Sequence, residues 1–323
     1  MKKIGIICSG GDCQGMNVSI KTIVNICQIS NITVIGYKYG FKGLVENDFE
    51  ILTNKKVENI ADQGGCYLKV SRYPDFLKPK VIDKAAERIK ENNVDGIILL
   101  GGDGSYRGGL DLFKRGINIV GIPGTIDNDI FYTEKSLGFD TAVNNAVAAI
   151  DNMRQSIEAN DRAFVVEVMG RKCGKIALHV AAAVFANALA TLEIGTNFNS
   201  LMQDMQKNYR NGARTPLIVV SEAMDFSIDD VKKAIEKQIG IEARSSVLGY
   251  IQRGGAPSVE DRILALQFST YSIELLKEGK GGTAVGIKNN SIFHVSLEEA
   301  VNTPSNFDME LYHQLRELHK LNG

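Results

Sequence analysis

The sequence predicts an α/β protein of two lobes, each a three-layer α/β/α stack on a mainly parallel sheet, with an active-site cleft between them. Short uninterrupted apolar runs alternate with helix-length amphipathic runs along the chain, the pattern of strands buried on both faces. Nearly every glycine cluster directly follows one of those runs, where ligands bind in such sheets. At 323 residues the chain is about twice a typical domain.

The strand candidates, in order, are Lys3–Cys8, Thr33–Tyr37, Gly96–Leu100, Ile117–Ile122, Ala163–Met169, Pro216–Ser221 and Ser246–Ile251. Helical periodicity marks Thr141–Ala159, Ser200–Tyr209, Asp229–Ile239 and Glu260–Lys277. The alanine-rich stretch Ile176–Leu192 carries His179 and Asn187 and reads as a buried core helix, not a membrane span. Motifs concentrate in Gly10–Asp129 and Arg162–Gly255, which suggests two lobes facing one cleft.

Composition narrows the class. Glycine, at 32 residues, exceeds its usual share of ~7%, and no low-complexity linker accounts for it. A formal net charge of −1 exerts no long-range pull on nucleic acid or an anionic membrane. The opening MKKIGIICSGGD reaches polar glycines too early for a signal peptide's apolar core. The five cysteines (Cys8, Cys13, Cys27, Cys66, Cys173) never stand as CxxC, and His179, His294, His313 and His319 form no ligand cluster. A reduced, cytoplasmic protein is expected.

Three clusters carry chemistry. In SGGDCQGMN (Ser9–Asn17) consecutive glycines let backbone N–H groups converge on an anion ahead of a helix start; alone, the string is equally a tight turn. In ILLGGDGSYRGG (Ile98–Gly109), Gly101, Gly102 and Gly104 open the backbone around Asp103, a strand-end carboxylate suited to Mg²⁺ bound to substrate phosphates. In GIPGTIDND (Gly121–Asp129), Asp127 and Asp129 stand two apart after a Pro–Gly turn, one placed as a base and the other beside a metal.

With these in order, followed by EVMGRKCG (Glu167–Gly174) and VLGYIQRGG (Val247–Gly255), the chain resembles the bacterial ATP-dependent 6-phosphofructokinase family from Lys2 to about Ile287. The resemblance implies transfer of the γ-phosphoryl of ATP to the 1-hydroxyl of fructose 6-phosphate with Mg²⁺. It implies Asp127 as general base, with Thr125 and the Gly11 N–H on the transferring phosphoryl. Arg72 and Arg171 would stabilise its charge. ATP would meet Gly11, Arg72, Tyr73, Gly102, Asp103, Gly104 and Ser105; Asp103 and Asp129 would hold the metal. The sugar phosphate would meet Thr125, Ile126, Asp127, Met169, Gly170, Arg171, Glu222, Tyr250 and Arg253. Arg162 and Arg244 would reach in from a neighbour of a homotetramer. The implied lobes are 1–138 with about 252–302, and 139–251 with about 303–323.

Against that family the chain has informative departures. A pyrophosphate-using branch has Asp at Gly104 and Lys at Gly124; glycine at both positions implies ATP as donor. Tyr250 replaces a histidine that touches the sugar 6-phosphate, and tyrosine brings no positive charge. Leu77 and Ile82 occupy often-basic positions near the nucleotide. At the effector site Lys21 and Arg154 keep the family's character, but Asn25, Asn54, Phe185, Asn187, Asn211 and Ala213 do not, which implies weak regulation. Two other readings fit the departures: a non-catalytic, nucleotide-binding paralogue, or a kinase of another ketose phosphate.

Overall fold

In the computed structural model, which describes residues 1–304 and 306–320, β1 (Lys3–Cys8) turns into α1 (Met16–Ile29), followed by β2 (Thr33–Tyr37), α2 (Phe41–Glu46) and β3 (Phe49–Leu52). Next come α3 (Pro79–Glu91), β4 (Gly96–Gly101), α4 (Asp103–Phe113) and β5 (Ile119–Pro123). The middle of the chain holds α5 (Phe139–Glu158), β6 (Ala163–Val168), α6 (Lys175–Ala183), β7 (Ala188–Ala190), α7 (Phe198–Arg210), β8 (Leu217–Ser221), α8 (Ile228–Gln238) and β9 (Ala243–Val247). It closes with α9 (Val259–Lys277), β10 (Thr283–Lys288), β11 (Ser291–Ser296), α10 (Leu297–Asn302) and α11 (Met309–Lys320). Met1–Thr141 and Arg253–Ser305 form one compact unit, Ala142–Gln252 and Asn306–Gly323 another. Ser305 and residues 321–323, within the expected second lobe, lie outside the described residues.

The first unit is built on a seven-stranded sheet in the order β11-β10-β5-β4-β1-β2-β3. Its central pairs are parallel, and β3 and β11 close the two edges antiparallel. The Ile- and Leu-rich runs of β1 and β4 are almost wholly buried because both faces are covered. Ile7, Leu99 and Ile119 share one core with Leu44, Ile82, Leu112 and Val301 of α2, α3, α4 and α10. The alternate residues Ile6, Ile98 and Val120, in register with one another, point the other way, where α1 packs against α9.

The second unit's four strands, β7-β8-β6-β9, are all parallel. Val165, Ile218 and Val220 pack against Leu201 and Met205 of α7 and Val231 and Ile235 of α8. Each of those helices starts on a side-chain cap: Asn197 accepts from the Ser200 N–H, and Ser227 from that of Asp230.

Two expectations are corrected. The stretch Ile176–Leu192 is not one helix: α6 ends at Ala183, Phe185 turns through φ 52°, and β7 follows. Asn187 sets that start, its carboxamide oxygen accepting the Leu217 N–H at 2.8 Å. The last of the expected strands runs Ala243–Val247, not Ser246–Ile251; Gly249, at φ 50°, opens a 3₁₀ turn over Gly249–Arg253.

Candidate functional site

In the first unit the three motifs are hydrogen-bonded to one another at the carboxyl ends of neighbouring strands. Ser9 N–H donates to the Leu100 carbonyl at 2.9 Å, and Gly124 N–H to that of Gly101 at 3.0 Å. A Cβ on Gly102 would stand 3.8 Å from Thr125. Gly10 takes φ 96°, a left-handed turn natural to glycine, and its N–H reaches the Ser71 carbonyl at 3.5 Å. That contact sets exposed Arg72 and half-buried Tyr73 immediately after the residue touching the turn. Ser105, expected to face nucleotide, donates its hydroxyl to the Ser9 carbonyl at 3.1 Å; its side chain braces the loop from within.

Asp103 is the first residue of α4, capped by Gly102, and Arg107 one turn on donates to its carboxylate at 3.1 Å. Gly104 faces open space, with nothing within 4 Å of a Cβ built there, whereas one on Gly124 would meet the Cys13 sulfur at 3.4 Å. After β5 the chain is braced by Thr125 Oγ1, which accepts the Asp127 N–H at 3.2 Å. Ser136 donates to the Thr125 carbonyl at 2.7 Å and to the Asn128 carboxamide at 3.0 Å, and Asn128 sits at φ 49°. The loop buries Ile126 and leaves Asp127 only 4% exposed, with Asp129 half-buried.

Arg253 pairs with Asp12 and donates to its carbonyl at 3.0 Å. A Cβ on Gly11 would come within 2.8 Å of that guanidinium, so this glycine makes room for the pair. Asp12 was not singled out in the sequence, although it stands inside the first motif. Beneath the loop, burial pushes the Cys13 thiol well up, and a hydrogen bond with Cys66, then burial, does the same for Cys8. Both therefore stay protonated packing groups, not nucleophiles. Ile82 belongs to the core and does not stand at a nucleotide surface; Leu77 is exposed.

In the second unit Met169, Gly170 and Arg171 follow β6. Glu222 accepts the Gly170 and Arg171 N–H groups at 3.1 and 2.6 Å, and Gln252 accepts that of Met169 at 3.3 Å. The turn is tight: Gly170 takes φ 142° and Arg171 φ 54°. Glu222 thus shapes this loop through backbone bonds. Burial, then the Glu222 charge, raises the Glu167 carboxyl above its ordinary range. Tyr250 is 80% exposed.

Arg162 and Arg244 are not gathered with those residues. They stand at the amino ends of β6 and β9, while Met169 follows the carboxyl end of β6. Six residues of strand make that separation about 20 Å. Both arginines pair with Glu242, which sequence reasoning missed: it stands just before β9, outside the strand expected at Ser246–Ile251.

The effector-type residues are engaged locally. Lys21 donates to the Glu58 carbonyl at 2.6 Å. Arg154 pairs with Glu158 and donates to the Val184 carbonyl at 3.0 Å. Next to Val184, Phe185, 64% exposed, holds a left-handed backbone that glycine adopts more readily.

Glycine turns, a helix start and carboxylates at strand ends can bind phosphate and metal and take up a proton. Residues 3–276 match the family model described as Phosphofructokinase. An ATP-dependent 6-phosphofructokinase of Lactobacillus gasseri is 39% identical over 320 residues, covering 99% of this chain and 100% of that protein. One of Lysinibacillus sphaericus is 40% identical over 318 residues, 98% of this chain and 99% of that one. The solved phosphofructokinase of Saccharomyces cerevisiae superposes with a TM-score of 0.84 at 26% identity, covering 100% of this chain and 46% of that longer one. The chain belongs to the phosphofructokinase family. No helix among the described residues is long and apolar enough to cross a membrane.

Proposed function

We propose that this protein is an ATP-dependent 6-phosphofructokinase, transferring the γ-phosphoryl of ATP to the 1-hydroxyl of fructose 6-phosphate in the cytoplasm. The observation that carries the reading is similarity along 99% of the chain to a relative bearing that name. Asp127, nearly buried behind Thr125, takes the proton of the sugar hydroxyl. Thr125 and the Gly11 N–H orient the phosphoryl group in line, and Arg72 and Arg171 offset its charge. Gly102 to Ser105 supply the helix start that receives the nucleotide phosphates, with Tyr73 beside them. Glu222 sets the Met169–Arg171 turn toward the sugar, and Ile126, Tyr250 and Arg253 complete the acceptor side.

The residues fit Mg²⁺. Among the described residues no set of three His, Cys, Asp or Glu side chains could hold an ion alone, but Asp103 and Asp129 suit a metal arriving with phosphate and water ligands. When bound, Mg²⁺ neutralises charge on the phosphates. Arg107, now on Asp103, must then share that carboxylate.

The strand-length gap between Arg162 with Arg244 and the Met169–Arg171 turn keeps the two arginines away from their own chain's turn, which fits their serving a neighbour's sugar phosphate in a homotetramer. Asn187, engaged by backbone, and Phe185 support weak effector control at Lys21 and Arg154. A coupled assay tests the reading: ADP should form from ATP only with fructose 6-phosphate present. Turnover with pyrophosphate and none with ATP would overturn it.

A further inference from the structure

Glu242 has no place in the reaction described above, yet it is the common partner of two arginines in the proposed acceptor site. β9 pairs with β6 in the register Ala163↔Ala243 and Phe164↔Arg244, and the Ala163 N–H donates to the Glu242 carbonyl at 2.9 Å. Glu242 therefore lies opposite Arg162 and two residues before Arg244, which puts all three side chains on one face. β9 is an edge strand, so this face ends at the border of the sheet.

The two carboxylate oxygens divide the work. Oε2 accepts from Arg162 Nε at 2.6 Å, and Oε1 pairs with an Nη of Arg244. The two guanidinium contacts hold the Glu242 carboxyl below its ordinary range. About half of the Glu242 side chain is exposed, at 47%, and exposed ion pairs add little to folding. Two like charges brought to one spot repel, however, and a carboxylate between them removes the obstacle. Each guanidinium has five N–H donors in a rigid fork. One contact each to Glu242 leaves a paired array with the geometry and charge to receive a phosphate dianion.

We propose that Glu242 is a positioning residue for the sugar-phosphate site, holding Arg162 and Arg244 as one two-armed receptor for the 6-phosphate of the acceptor. The proposal rests on the assignment of those two arginines to the sugar phosphate, and its test separates the two. Steady-state kinetics are measured on the full-length enzyme for Glu242→Gln, Glu242→Asp, Arg162→Ala, Arg244→Ala, the double alanine variant, and that double variant carrying Glu242→Gln.

Glu242→Gln should raise KM for fructose 6-phosphate by about tenfold, the size of one weakened charge-assisted hydrogen bond. Its kcat and KM for ATP should stay near their original values. Glu242→Asp should recover part of the loss, and the Gln substitution should add nothing once both arginines are gone. A purely structural role would instead lower Tm and shift both substrates' constants together. If the arginine variants raise KM for fructose 6-phosphate while Glu242→Gln leaves it unchanged or lowers it, positioning by Glu242 is wrong and the arginine assignment stands. If the arginine variants leave that KM unchanged, the assignment fails, and positioning fails with it.

Discussion

In the first unit Thr125, Asp127 and the Gly101–Gly104 turn are fixed by hydrogen bonds among the ends of β1, β4 and β5, with Asp127 almost out of water. In the second unit half-buried Arg162 and exposed Arg244 are held at their guanidiniums by Glu242, and Glu222 holds the backbone of the Met169–Arg171 turn. The difference matches what the proposed reaction would ask of each side. A reacting centre needs atoms held within tenths of an ångström and kept dry, which a backbone scaffold on three strands provides. A phosphate that is only gripped needs charge on arms that can close around it. Loss of function should therefore be steep in the first unit and graded in the second.

The sharpest break of that contrast lies at Gly104. Asp there has room and sits in the first turn of α4, where a carboxylate suits the helix, so Tm should hold. Placed against a nucleotide phosphate at ~4 Å, it adds a repulsion of roughly 4 kcal/mol. We expect kcat/KM for ATP to fall by hundreds-fold or more in Gly104→Asp, read by the coupled assay.

Next in size is Asp261, which braces the first unit without touching the reaction. It is buried and accepts the N–H groups of Gly138 and Thr141 at 2.8 and 2.9 Å, as well as the Thr141 hydroxyl. Burial raises its carboxyl above the ordinary range despite those bonds. Asp261→Ala orphans all three donors and should cost about 3 kcal/mol in a urea melt. A loss under 1 kcal/mol would mean that the scaffold is less dependent on such bonds than the comparison holds.

The smallest effect belongs to the graded side. On the proposed reading Tyr250, 80% exposed, would offer the sugar phosphate a neutral hydrogen bond where histidine would offer a charge-assisted one. Tyr250→His should lower KM for fructose 6-phosphate by about tenfold, with kcat little changed.

Much of this was readable from sequence for a physical reason. β1 and β2 run between the expected residues because both are continuous apolar runs stopped by polar turns. The phosphate-loop glycines and the Asp127 loop follow strands directly, so their placement at one end of the sheet came with the strand order. The edges were harder. Phe49–Leu52 carries a glutamate and Ser291–Ser296 is mostly half-buried, so neither reads as a buried apolar run. The Ile176–Leu192 stretch is apolar but for His179, Asn187 and Thr191, and periodicity could not reveal that Phe185 breaks it. The Arg162–Glu242–Arg244 group depends on the β6–β9 register, which no spacing along the chain encodes.

The central claim is that Asp127 takes the proton from the acceptor hydroxyl during transfer from ATP. Asp127→Asn keeps the size of the side chain and the Thr125 bond to its backbone. With saturating ATP and fructose 6-phosphate, ADP formation should drop by about 10²- to 10⁴-fold, with Tm and KM for ATP nearly unchanged. An Asn variant that retains more than a tenth of the original kcat would contradict the account.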